Sequence, residues 1–517
     1  MSRVLVVGAG VGGMCAAVRL AKLGHQITVL ERADAVGGKL GRFSRDGFTF
    51  DTGPHLLTLP AVLRDTFRKS GRPLERELEI VPVEPACHYR FADGSEVDVP
   101  GVGVHRVVDA FGDAFGGAAA DDWRRFAVRA KAMWAVSRGP FLENALTVAD
   151  LLRLSRRVGD LRTMAPWQTL RALGRSHLRD PRLRTYLDRY ATYSGSDPRR
   201  APAALATVPY VEQTFGSFYV PGGLYRIAEA LQQRMRVRKV DLRLDTEVAS
   251  LSVDGGRVTG AVLADGQMLT ADVVVADADA ADVYGRLLDP RLPAARSARR
   301  RLAAATPSLA GFVLLLALRG RTPGLRHHTV LFPADYDDEF DSVFGTRTRA
   351  ARPTPDPAVY LSGPDDPATR PSADTEASAD TDTDTDTDTE AVYVLVNAPR
   401  HGDPAADSST VDWRAPGVAD AYADRVLAVM AARGVDVRDR VLWREIRTPA
   451  DLADRTAAPG GAIYGTSSNG ARSAFLRAAN ASPVPGLFCV GGSAHPGGGL
   501  PLVGLSAKIV ADAIGPA

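Results

Sequence analysis

Cysteine is scarce in this chain: three in 517 residues, Cys15, Cys87 and Cys489, far apart. That spacing excludes a disulfide framework and any paired-cysteine zinc site, and it suits a reducing compartment. An excess of one charge is lacking as well. The 63 basic and 61 acidic side chains leave a net charge of +2, so no global electrostatic footprint for nucleic acid is present. No apolar run reaches a membrane span. The longest, Leu309 to Leu318 (LAGFVLLLAL), is half of the ~20 residues needed and reads as a buried strand. The first strand starts so early that no room is left for a secretion signal. No metal-ligand cluster and no serine triad is evident. The Asp-Thr run at 372–390 lacks the turn glycine and terminal glutamate of an EF-hand loop, so no metal is expected there.

What is present is an ordinary globular composition, 45% hydrophobic and 24% charged. The length suits two to four domains or one large interleaved fold. VLVVGAG reads as a buried strand running into glycines. Val11 to Leu23 has helical spacing and stops at Gly24, and QITVLE is a second strand. This is a βαβ unit, the opening of a doubly wound α/β sheet. VDLRLDTEVASLSV, DGGRVTGAVLADG and MLTADVVVAD read as strands joined by hairpin turns. GLFCVGG is a late buried strand before a glycine-rich loop, GGSAHPGGGLP, and a final helix. Nucleotide-type signals thus sit at the start, middle and end. Residues 1–105, 220–300 and 455–517 are expected to form one discontinuous domain. Residues 106–219, helical and arginine-rich, and 301–454, mixed, would form an inserted α+β substrate domain with a helical membrane-facing part. Residues 364–391 are expected to be a disordered low-complexity loop, since alternating Asp and Thr cannot bury a core.

Gly8, Gly10 and Gly13 form GxGxxG after a strand and at a helix start, with Gly12 beside them. The first glycine permits the tight turn, the second lets backbone approach a pyrophosphate, and the third allows close helix–strand packing. The helix N-terminus then favours the diphosphate charge. Glu31 ends the second strand, 18 residues after Gly13, where an acid accepts hydrogen bonds from an adenosine ribose. A dinucleotide site follows, and the acid disfavours a 2′-phosphate.

GAGVGG, ER…GG, GFTFDTGP and the terminal HPGGGLP, with FYVPGGLYRIAEAL, GRVTGAVLADG, RHHTVLF and DPAVYL between them, run in order along the chain. In these motifs the sequence resembles the FAD-dependent amine oxidase superfamily, and within it the bacterial phytoene desaturase (carotenoid desaturase) family. The resemblance implies a Rossmann-type, amine-oxidase-like FAD-binding domain. It implies that Arg32 and the pair Gly37 and Gly38 lie at the diphosphate, with Lys39 and Arg42 supplying charge. Family members often carry Arg where this chain has Lys39, and a lysine provides no bidentate fork. Gly53 and Pro54 would lie beside the isoalloxazine, and Val248 would offer its backbone to the adenine. Gly491 and Gly492 would meet the diphosphate, and Gly497 to Gly499 would run under the flavin. Leu500 and Pro501 would open a helix aimed at the flavin, with Pro501 at the first helical position. Family members often read SNAD near residue 277. This chain reads ADAD, Ala276 to Asp279, to which no contact is assigned. His495 is a candidate catalytic base, the alternative being that it shapes its loop.

The resemblance further implies hydride transfer from a polyene C–H to flavin N5, creating a new conjugated double bond. Its substrate would be a carotenoid or related isoprenoid, with oxygen or a quinone as electron acceptor. Phe215, Phe218 and Leu309 to Leu318 are candidate tunnel residues. A hydroxycarotenoid 3,4-desaturase, an isomerase or oxygenase of the same family, and a non-catalytic prenyl-lipid binder of the GDP-dissociation-inhibitor type are the alternatives. Polar-amine oxidases tend to place an aromatic cage by the flavin, and the C-terminal loop carries no aromatic. Residues 151–179 hold seven arginines and one acid, with Leu154, Val158, Leu161, Met164 and Trp167 three or four apart. Such a basic amphipathic segment reads as membrane-surface contact, or else as a solvated helix face. The expected location is cytoplasmic, peripheral on the inner face of the cell membrane.

Overall fold

The computed structural model describes residues 1–139, 142, 144, 157–371, 388–470 and 473–517. A fully parallel five-stranded sheet forms one layer, in the spatial order Asp241–Arg243, Gln26–Leu30, Arg3–Val7, Val273–Ala276, Leu487–Cys489. Counted along the chain this order is 3-2-1-4-5, the doubly wound pattern. The middle strand buries Val4, Leu5, Val6 and Val7, as a strand covered on both faces must. One cover is the helix Val11–Lys22, which buries Met14, Cys15 and Leu20 and packs against the last helix, Leu500–Ile514. The three cysteines are all buried and unpaired, and burial raises the Cys15 thiol to about 12.

The hairpin region differs from the sequence reading in one respect. VDLRLDTEVASLSV is two strands: Asp241–Arg243 completes the parallel sheet, and Val248–Asp254 starts a three-stranded antiparallel sheet with Arg257–Leu263 and Met268–Thr270. The break falls at Asp245, whose φ of 49° lies in the left-handed region.

The second large sheet has seven strands, in the order Val441–Arg447, Ala310–Arg319, Thr389–Ala398, Val359–Ser362, His328–Leu331, Cys87–Arg90, Glu96–Val99. LAGFVLLLAL is buried here as the strand Ala310–Arg319. Phe312, Leu314, Leu316 and Leu318 face the helix Val418–Ala432, while Val313, Leu315 and Ala317 face Phe48, Phe50 and Tyr393. Residues 87–99, expected with the dinucleotide strands, instead extend this sheet by parallel pairing of Cys87–Arg90 with His328–Leu331. Its alternating side chains cover the helical core around Phe111, Trp123 and Tyr186.

The low-complexity run 372–387 lies outside the described residues. The strands flanking it, Val359–Ser362 and Thr389–Ala398, pair antiparallel. The expected loop 364–391 is narrower at both ends, because Pro367–Thr369 form a helical turn capped by Asp366 and Thr389 already pairs with Arg319.

Helices Val104–Phe115, Gly117–Arg138, Val158–Met164, Leu170–His177, Pro181–Arg189 and Thr207–Phe215 make up most of the described part of 106–219. Leu154 of the expected apolar stripe lies outside the described residues. The rest of the stripe does not share one helix: Ala165 is left-handed ahead of Pro166 and ends the helix that began at Val158. Met164 is buried, whereas Val158 and Trp167 are 58% and 63% exposed. Among the described residues no helix is long and apolar enough to cross a membrane.

Candidate functional site

In a 3-2-1-4-5 sheet the chain leaves the first and fourth strands toward opposite faces, opening a crevice at their carboxyl ends. The glycine turn leaves Arg3–Val7 at that point, and Asp277 leaves Val273–Ala276 beside it. The Asp277 amide donates to the Val7 carbonyl at 2.8 Å. A methyl group added at Gly10 would stand 2.6 Å from Asp277 Oδ2. One at Gly12 would stand 2.6 Å from Asp277 Oδ1 and 2.9 Å from Gly491 Cα. One at Gly13 would strike the Gly8 carbonyl, and one at Gly491 would strike Asp277 Oδ1. Gly8, Gly10, Gly12, Gly13 and Gly491 therefore line one cradle that no side chain of theirs could enter. The N- and C-terminal glycine turns, almost five hundred residues apart in sequence, are in contact.

A second turn closes on the first. Gly37 pairs with Gly10 as a parallel bridge and donates to the Ala9 carbonyl at 2.8 Å, its φ of 111° being open to glycine. Gly38 lies against Gly10. Glu31, buried, accepts from the Ala9 amide at 2.7 Å through Oε2 and from the Ala33 amide at 3.0 Å through Oε1. It thus ties both turns together, and a carboxylate retains lone pairs for a further donor. Thr246 donates to the Glu31 carbonyl at 2.8 Å, which brings the strand opened by Val248 to this corner. Val248 itself is buried, and its carbonyl accepts from Arg286 at 3.4 Å.

The basic residues expected at the diphosphate make other contacts. Lys39 Nζ donates to the carbonyls of Ala462 and Ile463 at 3.0 and 2.6 Å. Arg32 donates to the Asp454 carbonyl. Arg42 pairs with Glu229 at 2.8 Å and lies over the Tyr225 ring. None of the three donates to the glycine turns. Burial lowers the Lys39 ammonium, an effect the charges of Asp279 and Asp277 oppose.

The C-terminal loop is held by a residue that the sequence reading passed over. Arg477 donates to the carbonyls of Gly492, Tyr464 and Thr466 at 2.7, 3.0 and 2.7 Å, and burial lowers it to about 10. The ring edge of Tyr464 packs against Gly498, so an aromatic does sit on the loop although the loop contributes none. Gly499 caps the last helix, Leu500 is buried, and Pro501 takes the second helical position rather than the first, still without loss of a needed N–H. The His495 ring contacts the Asn144 carbonyl through Nε2 at 3.0 Å. Its amide donates to Ala478 and its carbonyl accepts from Asn480. Among the described residues these polar contacts of His495 are with the chain around it, and burial lowers its pKa.

From the cradle a short link leads to the seven-stranded sheet. A methyl at Gly53 would strike the Lys39 carbonyl, so this stretch packs directly on the second turn. Pro54 follows, then His55, whose Nδ1 contacts the Gly53 carbonyl at 2.9 Å and whose ring lies 3.8 Å from that of Tyr393. His327, His328, Tyr219 and Tyr360 complete a cluster: His327 meets His328 at 4.4 Å and Tyr219 at 4.6 Å, and Tyr360 bonds His328 at 2.8 Å. Burial lowers His55 to about 3 and His327 to about 4, and His328 also falls well below its usual value. These imidazoles are neutral at physiological pH. Nearby, Asp51 accepts from the amides of Leu224 and Tyr225 at 2.6 and 2.9 Å, joining GFTFDTGP to FYVPGGLYR; burial raises it to about 6 against those bonds. Of the expected tunnel residues, Phe218 is partly buried in the dinucleotide-side core, and Phe215 is exposed beside Trp134.

The model of the family "flavin containing amine oxidoreductase" matches residues 11–363. The chain belongs to that family. Within it, full-length similarity runs to carotenoid enzymes. A "4,4'-diapolycopene oxygenase" of Methylomonas sp is 32% identical, over 99% of this chain and 98% of its own length. A "Hydroxyneurosporene desaturase" of Rubrivivax gelatinosus is 32% identical, over 99% and 93%. A "zeta-carotene-forming phytoene desaturase" of Myxococcus xanthus is 31% identical, over 99% and 93%. Among solved structures, putrescine oxidase bound to putrescine matches with a TM-score of 0.63 at 14% identity, covering 99% of this chain and 98% of that one. At that identity the match concerns the fold. This flavin-containing amine oxidoreductase is an FAD-dependent oxidoreductase. Its cradle fits the cofactor: the glycine turns gather backbone N–H groups at a helix start, and Glu31 ends the second strand beside them with lone pairs to spare. Among the described residues Asp277 Oδ2, sealed from solvent, has no well-aligned hydrogen-bond partner.

Proposed function

We propose that this FAD-dependent oxidoreductase desaturates a carotenoid or closely related polyene. The flavin, when bound, supplies the acceptor for a hydride from the substrate C–H. The chain's own residues do the rest. Gly8, Gly10, Gly12, Gly13, Gly37, Gly38, Gly491 and Gly492 would cradle the diphosphate, and Glu31 would hold the ribose. Val248 would flank the adenine, and Gly53, Pro54, Gly499, Leu500 and Pro501 would border the flavin ring. His495 fits the loop-shaping role better than that of a base, given its contacts to Asn144, Ala478 and Asn480.

The observation that carries the substrate class is the junction Gly53–Pro54–His55. One end packs on the cradle, and the other packs its ring at a tilt on Tyr393 in a cluster whose histidines burial keeps uncharged. An apolar polyene is favoured by neutral walls; in the cavity by His55 and Tyr393 the titratable exception is Asp51, whose carboxylate the Leu224 and Tyr225 amides hold. The full-length similarity to carotenoid desaturases supports the same class. In domain terms, we assign residues 87–99 to the substrate part, with 106–219 and 301–454.

Expression in cells supplied with phytoene or with hydroxylated polyenes tests the proposal. A red-shifted pigment is expected with one of them. Flavin-loaded protein that lengthens no chromophore overturns it. One relative named an oxygenase gives a second reading specific support, and product mass separates loss of two hydrogens from gain of oxygen. The acceptor, oxygen or a quinone, is read by anaerobic turnover with and without added quinone. We further propose contact with an anionic membrane face through the arginines around exposed Val158 and Trp167. Flotation with liposomes that is indifferent to anionic lipid would sink this part.

A further inference from the structure

Asp277 is an acid standing in an anion site. It follows the fourth strand at the crevice, and its two carboxyl oxygens face the bare backbone of Gly10, Gly12 and Gly491. Such a nest of glycine amides at the start of the helix Val11–Lys22 suits a phosphate. The same space cannot hold an ionised carboxylate and a diphosphate without strong like-charge repulsion in a poorly hydrated site. Turning away offers no ready refuge: Gly8 and Gly13 also pack on the Asp277 side chain.

The surrounding charges bear on its protonation. Glu31, across the turn, disfavours the ionised form, while Lys39 and the amides of Gly13 and Gly10 favour it. Cys15, on the first helix, senses the Asp277 charge. Asp279, two residues on, couples to Lys39 and Arg477. Burial outweighs the favourable groups and raises Asp277 to about 8. Oδ2 is closed off from solvent and, among the described residues, has no well-aligned hydrogen-bond partner, although the Gly10 and Gly13 amides lie close enough to favour its charge.

We propose that Asp277 is a proton-linked gate on cofactor binding: the diphosphate is accepted only when this carboxyl is protonated, and the acid then donates its O–H to a phosphate oxygen. Ionised Asp277 must take one proton from solvent as FAD enters, and the sealed Oδ2 gains the partner it lacks. The inference rests on the dinucleotide reading of the cradle and deepens it. The sign follows from linkage. Below the titration of the cofactor-free chain the acid is already neutral and affinity is flat. Above it, each pH unit weakens binding tenfold.

The test is FAD affinity of the cofactor-stripped full-length chain, followed by flavin fluorescence quenching from pH 6 to pH 9.5. Wild type should be flat at the acid end and lose affinity with a limiting slope of tenfold per unit at the alkaline end. Asp277→Asn, which donates N–H without titrating, should be flat throughout and bind at least several-fold tighter than wild type at pH 9. Lys39 also loses charge toward alkaline pH, so Lys39→Gln is the comparator. A slope that persists in Asp277→Asn and vanishes in Lys39→Gln overturns the proposal, as does a wild-type affinity independent of pH. Calorimetry of wild type in buffers of different ionisation enthalpy gives a readout that needs no variant. About one proton should be taken up per FAD at pH 9 and none at pH 6; none at either pH overturns the gate. Failure to bind FAD at any pH would instead defeat the cofactor reading itself.

Discussion

The cradle and the histidine–tyrosine cleft are built on opposite principles. The cradle is made of side chains that are not there. Its geometry is backbone against backbone, at Gly10 against Gly37 and Gly12 against Gly491, and a single methyl meets an obstacle. The cleft is made of side chains that are. His55, Tyr219, His327, His328, Tyr360 and Tyr393 come from separate segments, and a cavity of about 20 Å³ by His55 and Tyr393 leaves some slack. On the proposed reading the first arrangement would give a rigid, shape-exclusive hold on one cofactor. The second gives a surface that can be retuned residue by residue while the cofactor stays in place.

Substitutions should divide along that line. The largest effect is expected at Gly13→Val, whose side chain would strike the Gly8 carbonyl. FAD affinity should fall by about ten- to a hundredfold, since overpacking of this kind costs about 1–3 kcal/mol. The absorbance ratio of flavin to protein reads it, and a yellow Gly13→Val protein breaks the comparison. Next comes Glu31→Gln. Glutamine offers one oxygen where two are used, so either Ala9 or Ala33 loses its acceptor. A roughly tenfold weaker FAD affinity is expected, the order of one charge-assisted hydrogen bond. His55→Ala removes the ring packed on Tyr393 and should lower stability by about 1–3 kcal/mol. Its flavin content should match wild type while turnover changes. Loss of flavin in this variant would mean that the two regions are not separable.

The last effect is on acid stability rather than on flavin. His55 titrates near 3 in the folded chain, far below its ordinary 6.5. Between these values the unfolded chain binds the proton and the folded chain does not, so this residue's share of stability is lost as pH falls. Asp51, raised to about 6, acts in the opposite sense: the fold holds the proton, and stability declines as pH rises from about 4 to 6. Melting temperature between pH 7 and pH 4 should therefore fall less steeply in His55→Gln than in wild type. Equal slopes would indicate that His55 keeps contact with water.

The same division explains what could be read from the sequence. A cradle of missing side chains leaves a spacing signature: GxGxxG after a strand, Glu31 at the end of the next, a second glycine pair, a late glycine turn. All lie where that spacing puts them around one crevice. Charge could not be located in the same way. Lys39 and Arg42 stand close to the glycines in sequence, yet a buried ammonium takes the nearest carbonyls, here Ala462 and Ile463, and a surface guanidinium takes Glu229. Asp277 stood in view within ADAD, but only the three-dimensional crossing of the first and fourth strands shows what it faces. Arg477 and Tyr464 carry no local pattern at all; their roles exist only once the C-terminal loop has folded over them. Element boundaries failed where one residue turned the chain, at Asp245 within an apparent strand and at Ala165 within an apparent amphipathic helix.

The edge strand Leu487–Cys489 has a consequence for biogenesis. It is the last part of the parallel sheet to leave the ribosome, long after the four strands beside it, and it carries Gly491 with it. A nascent chain can close its first helix and most of its sheet early, yet on the proposed reading its grip on the flavin would be incomplete until residue 491 has emerged. Cofactor capture would then wait on that strand, and chains cut short before residue 487 should accumulate colourless.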